Sequence, residues 1–166
     1  MNGPERPNAA AKETGGGAEA ASPMAVAMAE ARRAAAIGEV PVGAVVTRGG
    51  AIIARAHNET RTGQDPTAHA ELLAIRRAAR ALGTDRLEGL DLYVTLEPCA
   101  MCAGAIAHAR IRRLYFGAED EKGGGVVHGA RVFQHPTCHH RPDVYGGIGE
   151  REAADLLRHF FQARRG

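Results

Sequence analysis

Apolar positions along this chain follow two different periods, and the change from one to the other marks its elements. Met24, Met28, Ala31 and Ala35 recur at helical spacing behind Ser22-Pro23, an N-cap and first-turn proline, and Gly38 closes the run. Val40-Pro41-Val42-Gly43-Ala44-Val45-Val46 and Ala51 to Ala56 are β-rich runs on either side of Arg48-Gly49-Gly50. They predict an antiparallel hairpin, with Pro41 at the start of its strand because it cannot donate to a ladder. Asp65-Pro66-Thr67 predicts the cap of a helix that runs to about Leu82 and is closed by Gly83. Leu92 to Leu96 reads as a strand leading directly into Pro98 at the start of another helix, and Ile111 to Gly117 as a fourth strand. Gly123 to Gly147 is rich in Gly, His and Pro, with room for a fifth short strand, and Glu150 to Arg165 predicts an amphipathic terminal helix. Strands alternating with crossover helices imply a mixed α/β sheet carrying helices on both faces. No internal repeat interrupts that order.

Composition narrows the classes. At 166 residues, 45% hydrophobic and 24% charged, the chain fits one globular domain, which we place from Ser22 to Gly166. Met1 to Ala21 is a run of Ala, Gly, Glu and Pro without the basic start and apolar centre of a signal peptide, so a disordered tail is expected there. A net charge of only +2 excludes the overall field of a strongly basic nucleic-acid protein and leaves room for a local patch. The three cysteines are an odd number, and two form a C-x-x-C, which favours metal binding in a reducing compartment over a disulfide framework. With no apolar stretch near the ~20 residues needed to span a bilayer, a cytoplasmic protein is expected.

The chemistry lies in His69-Ala70-Glu71 and Pro98-Cys99-Ala100-Met101-Cys102. Cys99 and Cys102, three apart, share one helix face and can grip a single ion. His69 and Glu71 stand two apart and converge only where a helix begins and its end faces the metal. One nitrogen and two sulfur ligands leave zinc a fourth position for water, and Glu71 stays off the metal. Zinc lowers the pKa of such a water to roughly 7, and Glu71 can take its proton and pass protons to a ring nitrogen and to departing ammonia. H-x-E with P-C-x-x-C is the known signature of zinc deaminases acting on nucleobases, and this mechanism is theirs. A structural four-ligand zinc completed from Cys138-His139-His140 is the competing reading; it would leave Glu71 idle, and Cys138 is kept out of the ligand set.

Beyond that signature, the chain resembles the bacterial tRNA-specific adenosine deaminases over nearly all of Pro23 to Arg165. The resemblance is carried by Glu39-Val40-Pro41-Val42-Gly43-Ala44, Asn58, Asp65-Pro66-Thr67-Ala68-His69-Ala70-Glu71, Leu92-Tyr93-Val94-Thr95-Leu96-Glu97-Pro98-Cys99, Met101-Cys102-Ala103-Gly104-Ala105-Ile106, Ala109-Arg110-Ile111, Phe116-Gly117-Ala118 with Asp120 and Lys122, and Phe160-Phe161 followed by Arg164-Arg165. It implies a cytidine-deaminase-like three-layer α/β/α fold with a mixed five-stranded sheet, a homodimer with one zinc ion per subunit, and conversion of adenosine to inosine at the wobble position of a tRNA anticodon stem-loop. By the same resemblance Asn58 is a base-contacting asparagine, Val40 lines the pocket and Ala70 offers a backbone contact. Gly124-Gly125-Val126-Val127-His128-Gly129 and Pro136-Thr137-Cys138-His139-His140 depart from the best-known members and resemble a subgroup.

Arg110, Arg112 and Arg113, with Arg158, Arg164 and Arg165, are candidates for a phosphate-binding rim, of which Arg110, Arg112, Arg164 and Arg165 are the contacts proposed. A solvated face is the plainer reading of each. Phe160 and Phe161 are expected in the core. Two rival functions stay open: a small-molecule deaminase acting on cytosine, guanine or a nucleoside, and a non-enzymatic zinc module.

Overall fold

The computed structural model describes residues 21–165, so all but the last residue of the expected Met1–Ala21 tail lies outside the described residues. The elements in chain order are α1 (Pro23–Ala36), β1 (Gly43–Arg48), β2 (Ala51–His57), α2 (Ala70–Leu82), β3 (Asp91–Leu96), α3 (Ala100–Ala109), β4 (Arg113–Ala118), a 3-10 turn (Val132–Gln134), β5 (Asp143–Tyr145) and α4 (Glu150–Arg164). The strands form one five-stranded sheet in the order β2-β1-β3-β4-β5. β1 runs antiparallel to both β2 and β3, whereas β3, β4 and β5 are parallel.

Strand alternation divides the core between two faces. Ala44, Val46, Leu92, Val94, Leu114 and Phe116 pack with Ala70, Ala74 and Ala78 of α2 and Ala103 and Ile106 of α3. Val45, Tyr93 and Tyr115 face the other way, onto Met24 and Ala27 of α1. α4 joins that second layer where Ala153 meets Met28 and Ala118. The result is the expected three-layer arrangement, with helices on both faces of a mixed sheet. α1 lies so close to β1 that a Cβ at Gly43 would collide with the Ala27 carbonyl, which requires a residue without a side chain there. No helix among the described residues is long and apolar enough to cross a membrane.

Several boundaries differ from the sequence expectation. Asp65-Pro66-Thr67 does not cap α2; the Asp65 carboxylate accepts from the Thr67 N–H at 2.9 Å and from its hydroxyl at 2.7 Å, closing a separate turn. α2 starts later, at Ala70, with His69 as its N-cap and Gly83 in the left-handed conformation at its end. α3 likewise starts two residues after Pro98, with Cys99 as its N-cap. The fourth strand begins at Arg113; Ile111 is a fully buried plug that ends the α3 turn by donating to Ile106. Phe161 is 44% exposed, outside the core, and Phe160 is half-buried beneath the Arg164 guanidinium, 4.3 Å from the ring centre.

Candidate metal and active site

Parallel pairing of β3 with β4 forces a crossover helix, and that crossover brings the segment after β3 to the carboxyl end of the sheet. α2 begins at the same end, so two helix N-termini meet there. His69 is the N-cap of α2, Cys99 the N-cap of α3, and Cys102 lies in the first turn of α3. His69 Nδ1 stands 3.6 Å from Cys99 Sγ and 3.5 Å from Cys102 Sγ. Tetrahedral zinc with Zn–S near 2.3 Å and Zn–N near 2.0–2.1 Å requires an N···S separation of about 3.5 Å. The donor set therefore fits such an ion, and all three ligand atoms lie within 4.8 Å of one another. Cys138 is outside this group; its thiol donates to the His140 carbonyl at 3.1 Å.

The Cys102 thiol donates to Cys99 and, against the cost of burial and with help from His69, brings the Cys99 thiol down to about 4. The same contact, with burial, pushes Cys102 upward. A hydrogen bond with Cys99 raises His69, partly opposed by burial. Metal binding must expel protons from Cys102 and His69, because zinc takes thiolate and neutral imidazole. Both groups are shifted upward, so affinity must rise with pH. Zinc titration against a competing chelator should show release of one to two protons per ion and an affinity gain of about ten- to hundredfold per pH unit between pH 6 and 8. A pH-independent affinity would show that these groups are not the ligands.

Glu71, in the first turn of α2, is only 4% exposed. Burial raises its pKa, while the helix backbone and His69 pull the other way. A carboxyl whose charged form is held back by burial suits a group that accepts and returns a proton. Asn58, at the end of the hairpin, accepts from the Ala70 N–H at 2.8 Å, supplying the cap that the His69 ring does not. Ala70 is fully buried and its N–H is engaged by Asn58. The Asn58 amide nitrogen is left for another partner.

These groups open into a cavity of about 310 Å³, lined by Val40, Asn58, Thr60, His69, Glu71, Leu96 and Glu97 among others. That lies at the lower end of the range for small-molecule sites, about 300–1,000 Å³. A neighbouring cleft shares Val40, Leu96 and Asp120 with it and extends to Leu157 and Phe161 of α4. Among the arginines, Arg164 donates to the Gly38 carbonyl at 2.9 Å, and Arg165 is exposed at the end of α4. Arg112 is held by a two-pronged pair with Asp91, at 3.0 and 2.8 Å. Arg110 and Arg112 sit where β3 and β4 begin, roughly 17 Å of strand from the metal cluster, so the structure does not bring them to the cavity.

Two buried carboxylates beside the cavity were not singled out by the sequence reading. Glu39 accepts from the Arg61 and Thr62 N–H groups at 3.0 and 2.7 Å and so holds the loop that carries Thr60. Glu97 does the same for the segment after β4. Both lie in stretches that carry the family resemblance, but their only local signal was a charge at the edge of an apolar run.

Residues 19–165 match the family profile described as MafB19-like deaminase, which makes the chain a deaminase by class. The tRNA-specific adenosine deaminase of Agrobacterium fabrum is 58% identical over 142 residues, covering 86% of this chain and 93% of that protein. A solved structure from a study of A-to-I editing by tRNA deaminases at the wobble position of transfer RNA superimposes with a TM-score of 0.80 at 58% identity, covering 81% and 98% of the two chains. Guanine deaminase from Bacillus subtilis is more distant, with a TM-score of 0.55, 32% identity and coverage of 84% and 88%. The chain belongs to the tRNA-specific adenosine deaminase family.

Proposed function

We propose that this protein hydrolyses the exocyclic amino group of adenosine at the wobble position of a tRNA anticodon stem-loop, giving inosine and ammonia. The observation that carries the reading is the His69, Cys99 and Cys102 cluster beside a buried Glu71 that is not one of the grouped ligands. A zinc ion on those three residues would supply a water made acidic near neutral pH. Glu71 is the group that would accept a proton from it and return protons to the ring nitrogen and the leaving amine. The Asn58 amide donates to an acceptor on the base edge, while Val40 and Leu96 give the base apolar walls. An extruded, unstacked base is what a cavity of this size admits, and an anticodon loop presents one at low cost. Phe161, exposed on the adjoining cleft, is placed to meet a neighbouring nucleotide. One zinc ion per chain, a homodimer and a reducing, cytoplasmic setting belong to the same reading, and the three cysteines stand free.

Asn58 has two duties that separate by mutation. Asn58→Ala removes the α2 cap and the amide donor together, costing about 1 kcal/mol of stability and roughly ten- to hundredfold in kcat/KM. Asn58→Asp keeps an acceptor for Ala70, at a helix N-terminus that favours negative charge, but offers the base no donor. It should melt close to the parent while losing at least as much activity as the alanine variant. Thermal melts and kinetics on a stem-loop substrate read the two effects apart, and an active Asn58→Asp protein would remove Asn58 from the base contact.

A further inference from the structure

The segment that departs from the best-known relatives, Gly124 to Gly129, is gathered onto a single buried carboxylate. Glu97 Oε2 accepts from the N–H groups of Val126, Val127 and His128 at 3.2, 3.1 and 3.1 Å. Its Oε1 accepts from the Asp120 N–H at 3.2 Å and lies 2.8 Å from His128 Nδ1. The Glu97 side chain is fully buried, whereas His128 is 27% exposed. Close packing reinforces the contact: a Cβ at Gly124 would run into the Glu97 carboxylate, and one at Gly125 into the Ala100 amide at the start of α3. Gly125 also donates to the Pro98 carbonyl at 2.8 Å. Asp120 and Gly123, in the span this carboxylate ties down, line the same cavity as Asn58.

We infer that Glu97 and His128 are positioning residues that fix the Asp120–His128 wall of the substrate cavity, with the histidine closing the latch. This rests on the reading of that cavity as the base site. Four backbone N–H groups converge on the carboxylate, and the His128 ring is the one side-chain donor among its partners. His128 does not line the cavity, and the Glu97 carboxylate, which borders it, spends its oxygens on the wall. Loosening the wall should therefore weaken binding in ground and transition state alike, raising KM with little change in kcat.

The test uses the full zinc-loaded chain, an anticodon stem-loop RNA, and two variants. In His128→Ala, amide hydrogen exchange across Gly124–His128 should quicken at least about tenfold and KM should rise about tenfold, with kcat within about twofold and zinc still one per chain. His128→Asn places an amide donor close to the Nδ1 position and should restore both slow exchange and KM. Unchanged exchange in the alanine variant, faster exchange with an unchanged KM, a loss confined to kcat or zinc content, or no rescue by asparagine would each overturn the inference. A parent chain that leaves the RNA unaltered refutes the proposed function and the substrate half of this inference, whereas the exchange data still decide the latch on their own.

Discussion

Replacing Glu71 with glutamine is expected to lower kcat by about three orders of magnitude while the protein keeps one zinc ion per chain. Glutamine preserves the shape of a side chain that is 4% exposed but can neither take nor return a proton. His69, Cys99 and Cys102 form the metal group without Glu71, so its loss leaves the ligands intact. Removing the carboxyl also relieves the burial that holds back its charged form. The sign follows from linkage: a carboxyl whose folded pKa is raised contributes stability at low pH and loses it as pH rises through the folded value. The metal-free glutamine variant should accordingly melt above the metal-free parent at pH 8, with the gap closing toward pH 4. Metal analysis, single-turnover rates and paired melts check the three parts, and an active glutamine variant would exclude the assigned role.

Cys102→Ala carries the second large effect. Cys102 is fully buried in the first turn of α3 and provides one of only two sulfurs in the cluster. With one nitrogen and one sulfur left, the site lacks the third protein ligand of a catalytic zinc centre. Zinc content should fall to near zero and turnover should become undetectable. The protein should also melt lower than the zinc-loaded parent, because a metal that binds only the folded state stabilises it by mass action. In excess chelator that difference should shrink to the small cost of one buried thiol, and this distinguishes metal loss from damage to the core. Cys138→Ser should leave metal and activity in place, since its thiol bonds within its own loop.

The sheet was legible because hydrophobic period and turn chemistry agreed: Gly49-Gly50 between two β-rich runs gave the hairpin, and Gly83 closed α2 as expected. Helix starts were less legible. Asp65-Pro66-Thr67 has the composition of a cap, yet its hydrogen bonds go to a local turn, and the cap for α2 comes from Asn58 on another element. A side chain twelve residues away leaves no mark in a local pattern. The grouping of His69 with both cysteines followed from ligand chemistry and spacing. Glu39 and Glu97 could not be found that way, because a buried carboxylate that collects backbone N–H groups reads in sequence like any charged strand neighbour. Phe161 was misplaced for a related reason: α4 is amphipathic, but the cleft beside Val40 and Leu96 leaves part of its apolar face without a covering layer.

The most direct measurement is base-resolved sequencing of an anticodon stem-loop RNA, with adenosine at the wobble position, after incubation with the zinc-loaded protein and in parallel with its Glu71→Gln variant. The account predicts conversion of that one adenosine to inosine by the parent and none by the variant. An unchanged wobble adenosine, with free guanine or cytosine deaminated instead, would contradict it.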